Sequence, residues 1–293
     1  MNFKSRYENI KNLAKYELSI IEKKMIERIN TREPLNTLLK GFLTSPSKRI
    51  RSVLAILYSK ALEEDLSDEQ LEFLSVVELV HNASLIHDDI IDESKLRRGH
   101  KTISAEFDNK LAVISGDYIL AISMEKLALL GNTQLLENFS KTIKQMCLGE
   151  INQNFDRFKI GTIEDYIEKT KNKTAYLFET ALTGCIMLSK TYHNIEVISQ
   201  LATNIGVAFQ IRDDISNMTS SDNSKPIKND IKEGIYNAPV ILGDKSDNYH
   251  SGIEKTKTLL NNYVQSAKEQ IQQLPDNKFK TALYEFLELL KDV

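Results

Sequence analysis

The sequence predicts an all-α protein, a single large helical bundle around a central cavity. Glycine (11) and proline (5) are sparse in a chain of 293 residues, which favours helices with short connections over a sheet with many turns. Apolar residues recur at helical spacing along most of the chain, and no strand-like alternation of useful length interrupts them. Because no linker or low-complexity tract divides the chain, residues 1–293 are expected to form one domain.

The first part of the chain contains helices that lead towards an acidic turn. Leu13, Ile20 and Met25 lie among charged residues at helical spacing and indicate an amphipathic helix. Further on, Ser47 is a plausible N-cap, but the cations of Lys48-Arg49-Ile50-Arg51 oppose the helix dipole there and are better explained by a bound anion than by a solvated charge patch. Helices are predicted at 3–30, 35–43, 53–62 and 68–92.

The second part of the chain continues the helical pattern to its end. Lys171-Asn172-Lys173-Thr174 interrupts one helix with polar residues, and Pro239 begins a further apolar piece. Two amphipathic helices follow, so helices are expected to fill most of this part as well. Helices are predicted at 102–129, 134–157, 163–190, 194–217, 252–273 and 277–291.

Three carboxylates crowd the end of the helix predicted at 68–92. Asp88, Asp89 and Asp92 follow a long apolar run, and their spacing puts them within one turn on one face. Like charges at this spacing repel each other, and a divalent cation would remove the conflict because hard cations prefer oxygen ligands. A solvated acidic helix end is the alternative.

A second acidic cluster repeats the spacing far along the chain. Asp213 and Asp214 end another apolar helix, and Asn217 stands in the third place. Two acidic clusters on two apolar helices are hard to explain as unrelated solvated ends. They indicate two walls of one metal-lined cavity.

Basic residues accompany the first acidic cluster. The loop Lys95-Leu96-Arg97-Arg98-Gly99-His100 follows it directly, and His81 lies two turns before Asp88 on nearly the same face. Acidic and basic residues together suit a metal–phosphate complex, because metal ions meet the carboxylates while arginines take the remaining phosphate oxygens. For His81 alone, a satisfied core histidine is the competing interpretation.

Composition argues against several classes of protein. The net charge of −3 argues against nucleic acid as the main partner. Cys147 and Cys185 lie in apolar helical contexts without metal-ligand spacing, and are expected to be reduced core residues of a cytoplasmic protein. Residues 1–30 lack the apolar core of a signal peptide, and no apolar run is long enough to span a bilayer.

Together these motifs resemble those of the trans-isoprenyl diphosphate synthases, the polyprenyl synthetase family, from about residue 40 to the end. The stretch 147–153 is most similar to the larger subunit of bacterial medium-chain, heptaprenyl-type synthases. The resemblance implies a helical bundle of the isoprenoid synthase type. Besides the aspartate motifs and the stretch 78–92, it rests on Lys48-Arg49-Ile50-Arg51, Leu96-Arg97-Arg98-Gly99, Gly116-Asp117-Tyr118, Gly149-Glu150, Lys173-Thr174, Gln210 and Lys225-Pro226 with Asp230.

The resemblance implies a prenyltransferase that joins isopentenyl diphosphate to an allylic diphosphate with the help of three Mg²⁺ ions. It assigns the metal ions to Asp88, Asp89, Asp92, Asp213 and Asp214. It assigns the allylic diphosphate to Arg97, Lys173 and Lys225, and the isopentenyl diphosphate to Lys48, Arg51, His81 and Arg98. Thr174 and Gln210 would line the space over the reacting carbons, and catalysis would depend on Asp88, Asp89, Lys173, Thr174, Gln210 and Asp213.

Small side chains before the first acidic cluster predict a long product. Ala83 and Ser84 lie one turn before the aspartates, and Val80 continues that face deeper into the helix. Bulky aromatic residues there would close the pocket early, so we expect a tunnel and a product of about six or seven isoprene units. A geranylgeranyl or farnesyl diphosphate synthase is the alternative.

Several positions depart from the family's pattern. Asn217 replaces a third aspartate and is a weaker Mg²⁺ ligand, Ile235 replaces a frequent lysine, and Ser47 and Ser52 replace a glycine and a proline. The segment after Leu242 also looks abbreviated. These departures leave open a homodimer, a heteromer with a small subunit, or a weakly active regulatory subunit. A terpene cyclase and a plain helical scaffold are less favoured.

Overall fold

Helices dominate the computed structural model, which describes residues 3–191, 193–219, 231, 233–247 and 249–293. The all-α prediction is therefore confirmed. The helices up to the first acidic turn are α1 (Phe3–Asn12), α2 (Lys15–Ile26), α3 (Leu35–Thr44), α4 (Ile50–Ala61) and α5 (Asp68–Ile91). A short antiparallel hairpin follows, in which β1 (Leu96–Arg97) pairs with β2 (His100–Lys101).

The later helices form most of the remaining described chain. They are α6 (Ile103–Glu106), α7 (Asn109–Leu129), α8 (Thr133–Phe155), α9 (Ile163–Thr170), α10 (Tyr176–Met187), α11 (Ile195–Thr219), α12 (Ala238–Leu242), α13 (His250–Ile271) and α14 (Lys278–Leu290). A π-helical turn, Lys171–Ala175, joins α9 to α10, and a 3₁₀ turn, Lys245–Asp247, precedes α13. Among the described residues no helix is both long and apolar enough to cross a membrane.

Side-chain caps fix where several helices begin. Helix α5 starts with a capping box, in which the Ser67 hydroxyl accepts from the Gln70 amide at 3.2 Å and the Gln70 side chain accepts from the Ser67 amide at 2.8 Å. Helices α7 and α8 have simpler caps, in which the side chains of Asp108 and Asn132 accept from the amides of Leu111 and Leu135. These caps place the start of the acidic helix, so that its aspartates fall at its last turn.

Helix α5 lies at the centre of the packing. It packs against α7, α2 and α10, while α11 packs against α10 and α13. Phe73 on α5 is fully buried, and a Cβ built at Gly184 on α10 would lie 2.3 Å from its ring. A side chain at Gly184 would therefore push the two helices apart. The apolar core continues from Tyr7 to Leu290 without a break between elements.

Four sequence predictions differ from the structure. The helix predicted at 3–30 breaks at Leu13, and the one at 102–129 breaks at Phe107 because Asp108 caps a new helix. Ser47 is not an N-cap, since α4 begins after Arg49. Cys147 was expected in the core but is exposed, because its face of α8 is uncovered in the single chain, whereas Cys185 is buried as predicted.

Candidate active site

The first acidic wall is the last turn of α5. Asp89 is 2% exposed and its Oδ1 accepts from Nε of Arg97 at 2.7 Å, so a solvated helix end does not describe it. Asp92 ends the helix, and the hairpin that carries Arg97 turns back over it. The basic loop thus meets the acidic turn, as the sequence indicated.

Burial makes these carboxylates hard to ionise. It raises the pKa of Asp88 to about 6, with Lys173 opposing and Glu150 and Asp92 adding to the rise. Burial also raises the pKa of Asp89, where Arg97 opposes it, and the pKa of Asp92, where Glu150 adds to it. Carboxylates that resist ionisation in the metal-free protein would be stabilised by a cation between them.

The second acidic wall is formed by α11 and a tyrosine that the sequence analysis missed. Asp214 accepts two hydrogen bonds, from the Tyr166 hydroxyl at 2.6 Å and from Nε2 of Gln210 at 3.0 Å. Burial raises the pKa of Asp214 to about 6, although these two hydrogen bonds oppose the rise. Tyr166 lies seven residues before Lys173, two turns along the same helical face, and this spacing was the available signal.

The π-helical turn explains the polar interruption seen in the sequence. It carries Lys173, whose Nζ pairs with Glu150 Oε2 at 2.6 Å, and Thr174, whose hydroxyl donates to Gln210 Oε1 at 2.9 Å. A Cβ built at Gly206 on α11 would lie 2.6 Å from Cα of Ala175, so the turn and α11 approach closely. Such π-turns often occur at functional sites, because they redirect adjacent side chains.

One cavity of about 400 Å³ joins the two walls. Asp92 from the first wall and Asp214 from the second both line it, which is the arrangement that the repeated acidic motif indicated. The other lining residues are Ser94, Gln153, Tyr166, Lys169, Thr170, Lys173, Thr174, Gln210, Glu233, Ile235 and Asn237. Ile235, named above as a departure from the pattern that the sequence resembles, therefore lines this cavity.

Asp213 and Asn217 lie on the same helix as Asp214 but in different surroundings. The Asp213 carboxylate is 40% exposed and accepts from Nη1 of Arg212 at 3.2 Å. Asn217 is half-buried in the last turns of α11. The second wall is thus built around one buried carboxylate, Asp214.

A cluster of cations lies beside the first wall. Burial lowers the pKa of His81 well below its usual value, and the charges of Arg51, Arg98 and Arg49 lower it further. His81 is therefore neutral and able to donate a hydrogen bond without adding charge. Burial also lowers the pKa of Arg51 to about 10, and its Nε has no hydrogen-bond partner within the described part of the chain. A buried, unpaired guanidinium N–H is suited to an anion.

Arg49 differs from its basic neighbours. Its Nη1 pairs with Glu78 Oε2 at 3.1 Å, its Nη2 donates to the Leu43 carbonyl, and its side chain is 2% exposed. Arg98 extends from the hairpin, where its Nη1 donates to Ser45 Oγ at 2.8 Å. Arg49 therefore stabilises the fold, which agrees with its having been assigned no ligand.

The residues predicted to set product length lie below the acidic turn. Ala83 is 0% exposed and Val80 2% exposed, while Ser84 is half-buried and donates to the His81 carbonyl at 2.9 Å. Lys225, Pro226 and Asp230 lie outside the described residues. The abbreviated segment after Leu242 runs through Gly243, whose backbone packs closely on Gly252 of α13.

The donor set fits a divalent ion that shares its coordination with a phosphate. No group of three histidine, cysteine or acidic side chains within residues 3–191, 193–219, 231, 233–247 and 249–293 converges closely enough to hold an ion by itself. Mg²⁺ commonly uses one or two carboxylates and completes its shell with substrate phosphates and water. Buried carboxylates on two walls, with cations beside them, provide that arrangement.

An all-α bundle with carboxylates on two walls of one cavity is the architecture of the isoprenoid synthase class. The chain belongs to the polyprenyl synthetase family, whose sequence profile matches residues 32–277. It is therefore a trans-prenyltransferase of isoprenoid biosynthesis that makes a polyprenyl diphosphate. The resemblance inferred from the sequence motifs is confirmed.

Known relatives agree with this membership. The chain is 32% identical over 303 residues to a prenyl transferase of Cyanidium caldarium, which covers 93% of this chain and 94% of that protein. It is 32% identical over 231 residues to heptaprenyl diphosphate synthase component 2 of Geobacillus stearothermophilus, covering 77% and 72% of the two chains. The solved heptaprenyl diphosphate synthase of Staphylococcus aureus is 25% identical, with a TM-score of 0.87 over 95% of this chain and 98% of that one.

Family membership leaves the product length open. Proteins similar to this chain are named as synthases of geranylgeranyl, heptaprenyl and decaprenyl diphosphate. The length that this chain makes must therefore be argued from its own residues.

Proposed function

We propose that this chain condenses isopentenyl diphosphate with an allylic diphosphate to give a product of about six or seven isoprene units. The observation that carries the proposal is the single cavity lined by Asp92 and Asp214, with Lys173 between the two walls. A cluster of cations lies beside the first wall, so two diphosphates have separate places to bind.

The allylic diphosphate would lie at the cavity between the walls. Mg²⁺, with three ions as the expected number, would polarise the departing diphosphate when bound. The residues proposed to hold the ions are Asp88, Asp89, Asp92, Asp213 and Asp214. Arg97, Lys173 and Lys225 would neutralise the remaining phosphate charge. For Lys173 this requires that its ion pair with Glu150 give way to the substrate.

The isopentenyl diphosphate would bind the cations beside the first wall, through Lys48, Arg51, His81 and Arg98. A neutral His81 would donate one hydrogen bond, while Arg51 would contribute its unpaired Nε–H. The double bond of this substrate would then attack the allylic carbon as the carbon–oxygen bond breaks. The released diphosphate would accept the proton that is lost, so no side-chain nucleophile is required.

Thr174 and Gln210 would lie over the reacting carbons. Their hydrogen bond fixes the direction of the Gln210 amide, whose Nε2 in turn donates to Asp214. The amide and hydroxyl dipoles of this chain would be oriented before the substrate arrives. Preorganised dipoles of this kind stabilise developing charge without further rearrangement.

The product length rests on the small residues below the acidic turn. Ala83 and Ser84 are small side chains one turn before the aspartates, and Val80 continues their face of α5, so the growing product would pass along this face. Shorter products, of the geranylgeranyl or farnesyl class, are the alternative. A single domain of residues 1–293 would carry the whole activity.

Assembly with a second chain is part of the proposal. Val113 and Ile114 on α7 are 43% and 62% exposed, and Leu148, Ile151 and Phe155 on α8 are 40%, 50% and 73% exposed. Apolar side chains spaced along helices and exposed together commonly mark a protein interface. We propose a homodimer or a heteromer with a small subunit. The same exposed face would also suit a regulatory subunit, and the weaker metal ligand Asn217 would suit low activity. A weakly active regulatory subunit is therefore the second candidate.

The test is elongation by the purified full chain. The protein would be incubated with Mg²⁺, labelled isopentenyl diphosphate and allylic primers of increasing length, and the products would be separated after dephosphorylation. The proposal expects elongated alcohols that accumulate at about six or seven units. Turnover that appears only after a small subunit is added would favour the heteromer, and none in either case would favour the regulatory role.

A further inference from the structure

Helix α1 lies across the basic segment that carries Lys48. The Tyr7 hydroxyl donates to the Lys48 carbonyl at 2.8 Å, and Nζ of Lys11 donates to the Ser47 carbonyl at 2.7 Å. Two successive carbonyls of the segment are therefore held by side chains from one helix. Tyr7 is 1% exposed, so its hydrogen bond is protected from water.

An aromatic ring from the same helix holds the Lys48 side chain. Nζ of Lys48 lies 5.1 Å from the centre of the Phe3 ring and 5.8 Å from that of Phe209 on α11. Phe3 also stacks on Tyr7, with the ring centres 5.9 Å apart and the planes at 11°. The ammonium thus lies within 6 Å of two ring centres, one of which α1 supplies.

Phe3 also contacts the second acidic wall. Cζ of Arg212 lies 3.8 Å from the centre of the Phe3 ring, and Nη1 of Arg212 donates to Asp213. A single ring therefore lies against one cation from each side of the site. Aromatic rings attract a cation without neutralising its charge, in contrast to a carboxylate.

The backbone at this point needs support. Arg49 adopts a left-handed conformation with φ of 52°, which is unfavourable for a residue with a side chain. The Arg49 side chain is held by its pair with Glu78 at 3.1 Å. Helix α1 holds the two preceding carbonyls, those of Ser47 and Lys48. Together these contacts fix the direction in which Lys48 leaves the backbone.

We propose that α1 is a positioning element for the isopentenyl diphosphate site, with Phe3 and Tyr7 as the residues that position Lys48. The proposal rests on the assignment of Lys48 under the proposed function. Phe3 and Tyr7 touch Lys48 rather than the substrate, so their loss acts on isopentenyl diphosphate through the lysine. Loss of either side chain raises the KM for isopentenyl diphosphate more than the KM for the allylic substrate.

The experiment is a double-mutant cycle in the full-length enzyme, with Phe3→Leu and Lys48→Ala alone and combined. Leucine keeps the apolar bulk and removes the ring. Phe3→Leu should raise the KM for isopentenyl diphosphate roughly two- to thirtyfold, the range set by a cation–π contact. In the Lys48→Ala variant, Phe3→Leu should cause no further rise in the KM for isopentenyl diphosphate. Phe3→Tyr should keep the KM for isopentenyl diphosphate at its wild-type value, because the aromatic ring is retained.

Two further variants keep the result interpretable. Tyr7→Phe removes only the hydrogen bond to the Lys48 carbonyl and should also raise the KM for isopentenyl diphosphate. Arg6→Ala removes the ion pair of α1 with Asp292 and should leave that KM unchanged. Circular dichroism would verify that each variant keeps its helical content.

The outcomes separate the two proposals. If Lys48→Ala raises the KM for isopentenyl diphosphate and neither Phe3→Leu nor Tyr7→Phe does, the positioning role is wrong and the proposed function stands. The positioning role would also be overturned if Phe3→Leu raised the KM for isopentenyl diphosphate by the same factor in the wild type and in the Lys48→Ala variant. If Lys48→Ala has no effect, or if the wild-type chain elongates no primer, the underlying assignment fails and the inference fails with it.

Discussion

The hydroxyl of Tyr166 donates a 2.6 Å hydrogen bond to Oδ2 of Asp214, while Nε2 of Gln210 donates to the other carboxylate oxygen at 3.0 Å. Tyr166 is 3% exposed, so the contact is sheltered from water. The buried carboxylate of the second wall is therefore oriented by two neighbours before any ligand arrives. A side chain that orients a metal ligand in this way affects metal affinity without touching the metal.

Replacing Tyr166 with phenylalanine should weaken metal binding. The change removes one hydroxyl, leaves the ring in place, and frees Asp214 to rotate. The KM for Mg²⁺ in the elongation assay should rise roughly ten- to a hundredfold. Tyr118→Phe is the matched control, because that hydroxyl bonds to the backbone at Asn30 and neither residue lines the cavity. A KM for Mg²⁺ that is the same in both variants would contradict the role given to Tyr166.

Replacing Asn217 with aspartate should strengthen the second wall. An added carboxylate in the third position of the motif is a better Mg²⁺ ligand than an amide. We expect the KM for Mg²⁺ to fall severalfold and kcat to hold or rise. Asn204→Asp, the same change earlier on α11 where the side chain bonds Gln270, should leave the KM for Mg²⁺ unchanged. A higher KM for Mg²⁺ in Asn217→Asp would show that the site is built for the amide.

Most of this candidate site could be predicted from the sequence, because most of its residues belong to local motifs. The acidic repeats at Asp88 and Asp213 and the basic loop around Arg97 each lie within one helical turn or hairpin. Their spacing therefore predicted their geometry. The polar interruption at Lys173 was also visible, but the sequence did not show its π-helical form or the close approach of Gly206 to Ala175.

Residues brought in from other elements were harder to predict. Tyr166 and Phe3 have no motif of their own, and their roles arise from the way α9 and α1 pack against distant helices. The exposure of Cys147 likewise depends on what covers α8, which an apolar helical pattern does not specify. Conversely, the break before Asp108 had a local signal, since the Asp108 side chain caps α7, whereas α2 begins at Lys15 without a side-chain cap.

Replacing Ala83 with phenylalanine should shorten the product. The phenylalanine ring would fill space one turn below the aspartates, where the growing chain is proposed to pass. The main product should lose at least one isoprene unit, as read from chain length after dephosphorylation. Leu85→Phe adds a ring on the opposite face of α5 and should keep the wild-type length. Equal product lengths in wild type and Ala83→Phe would rule out the tunnel at this position.

Burial of Asp88 should make its ionisation costly for folding. Burial raises its pKa to about 6, so the folded protein keeps this proton at a pH where the unfolded chain has lost it. The cost therefore develops as the pH rises from about 4 towards 6, and it is fully present above 6. The asparagine of the Asp88→Asn variant carries no charge at any pH. Without metal, this variant should therefore be more stable than wild type at pH 7.5.

The difference should shrink as the pH is lowered. We expect about 1–2 kcal/mol at pH 7.5, after allowing for the partial exposure of Asp88, and almost none at pH 4. Denaturant unfolding at the two pH values measures it. Asp156→Asn, at a carboxylate that is 67% exposed, should leave the unfolding free energy unchanged at both. A variant less stable than wild type at pH 7.5 would show that ionised Asp88 is stabilised in the metal-free fold.

The account depends most on the two acidic walls acting as one site. The direct measurement is the rate at which labelled isopentenyl diphosphate is incorporated into an allylic primer by wild type, Asp92→Asn and Asp214→Asn at saturating Mg²⁺. The account predicts that wild type elongates the primer and that each variant, one from each wall, loses at least about a hundredfold in rate. Incorporation by either variant at close to the wild-type rate would contradict it.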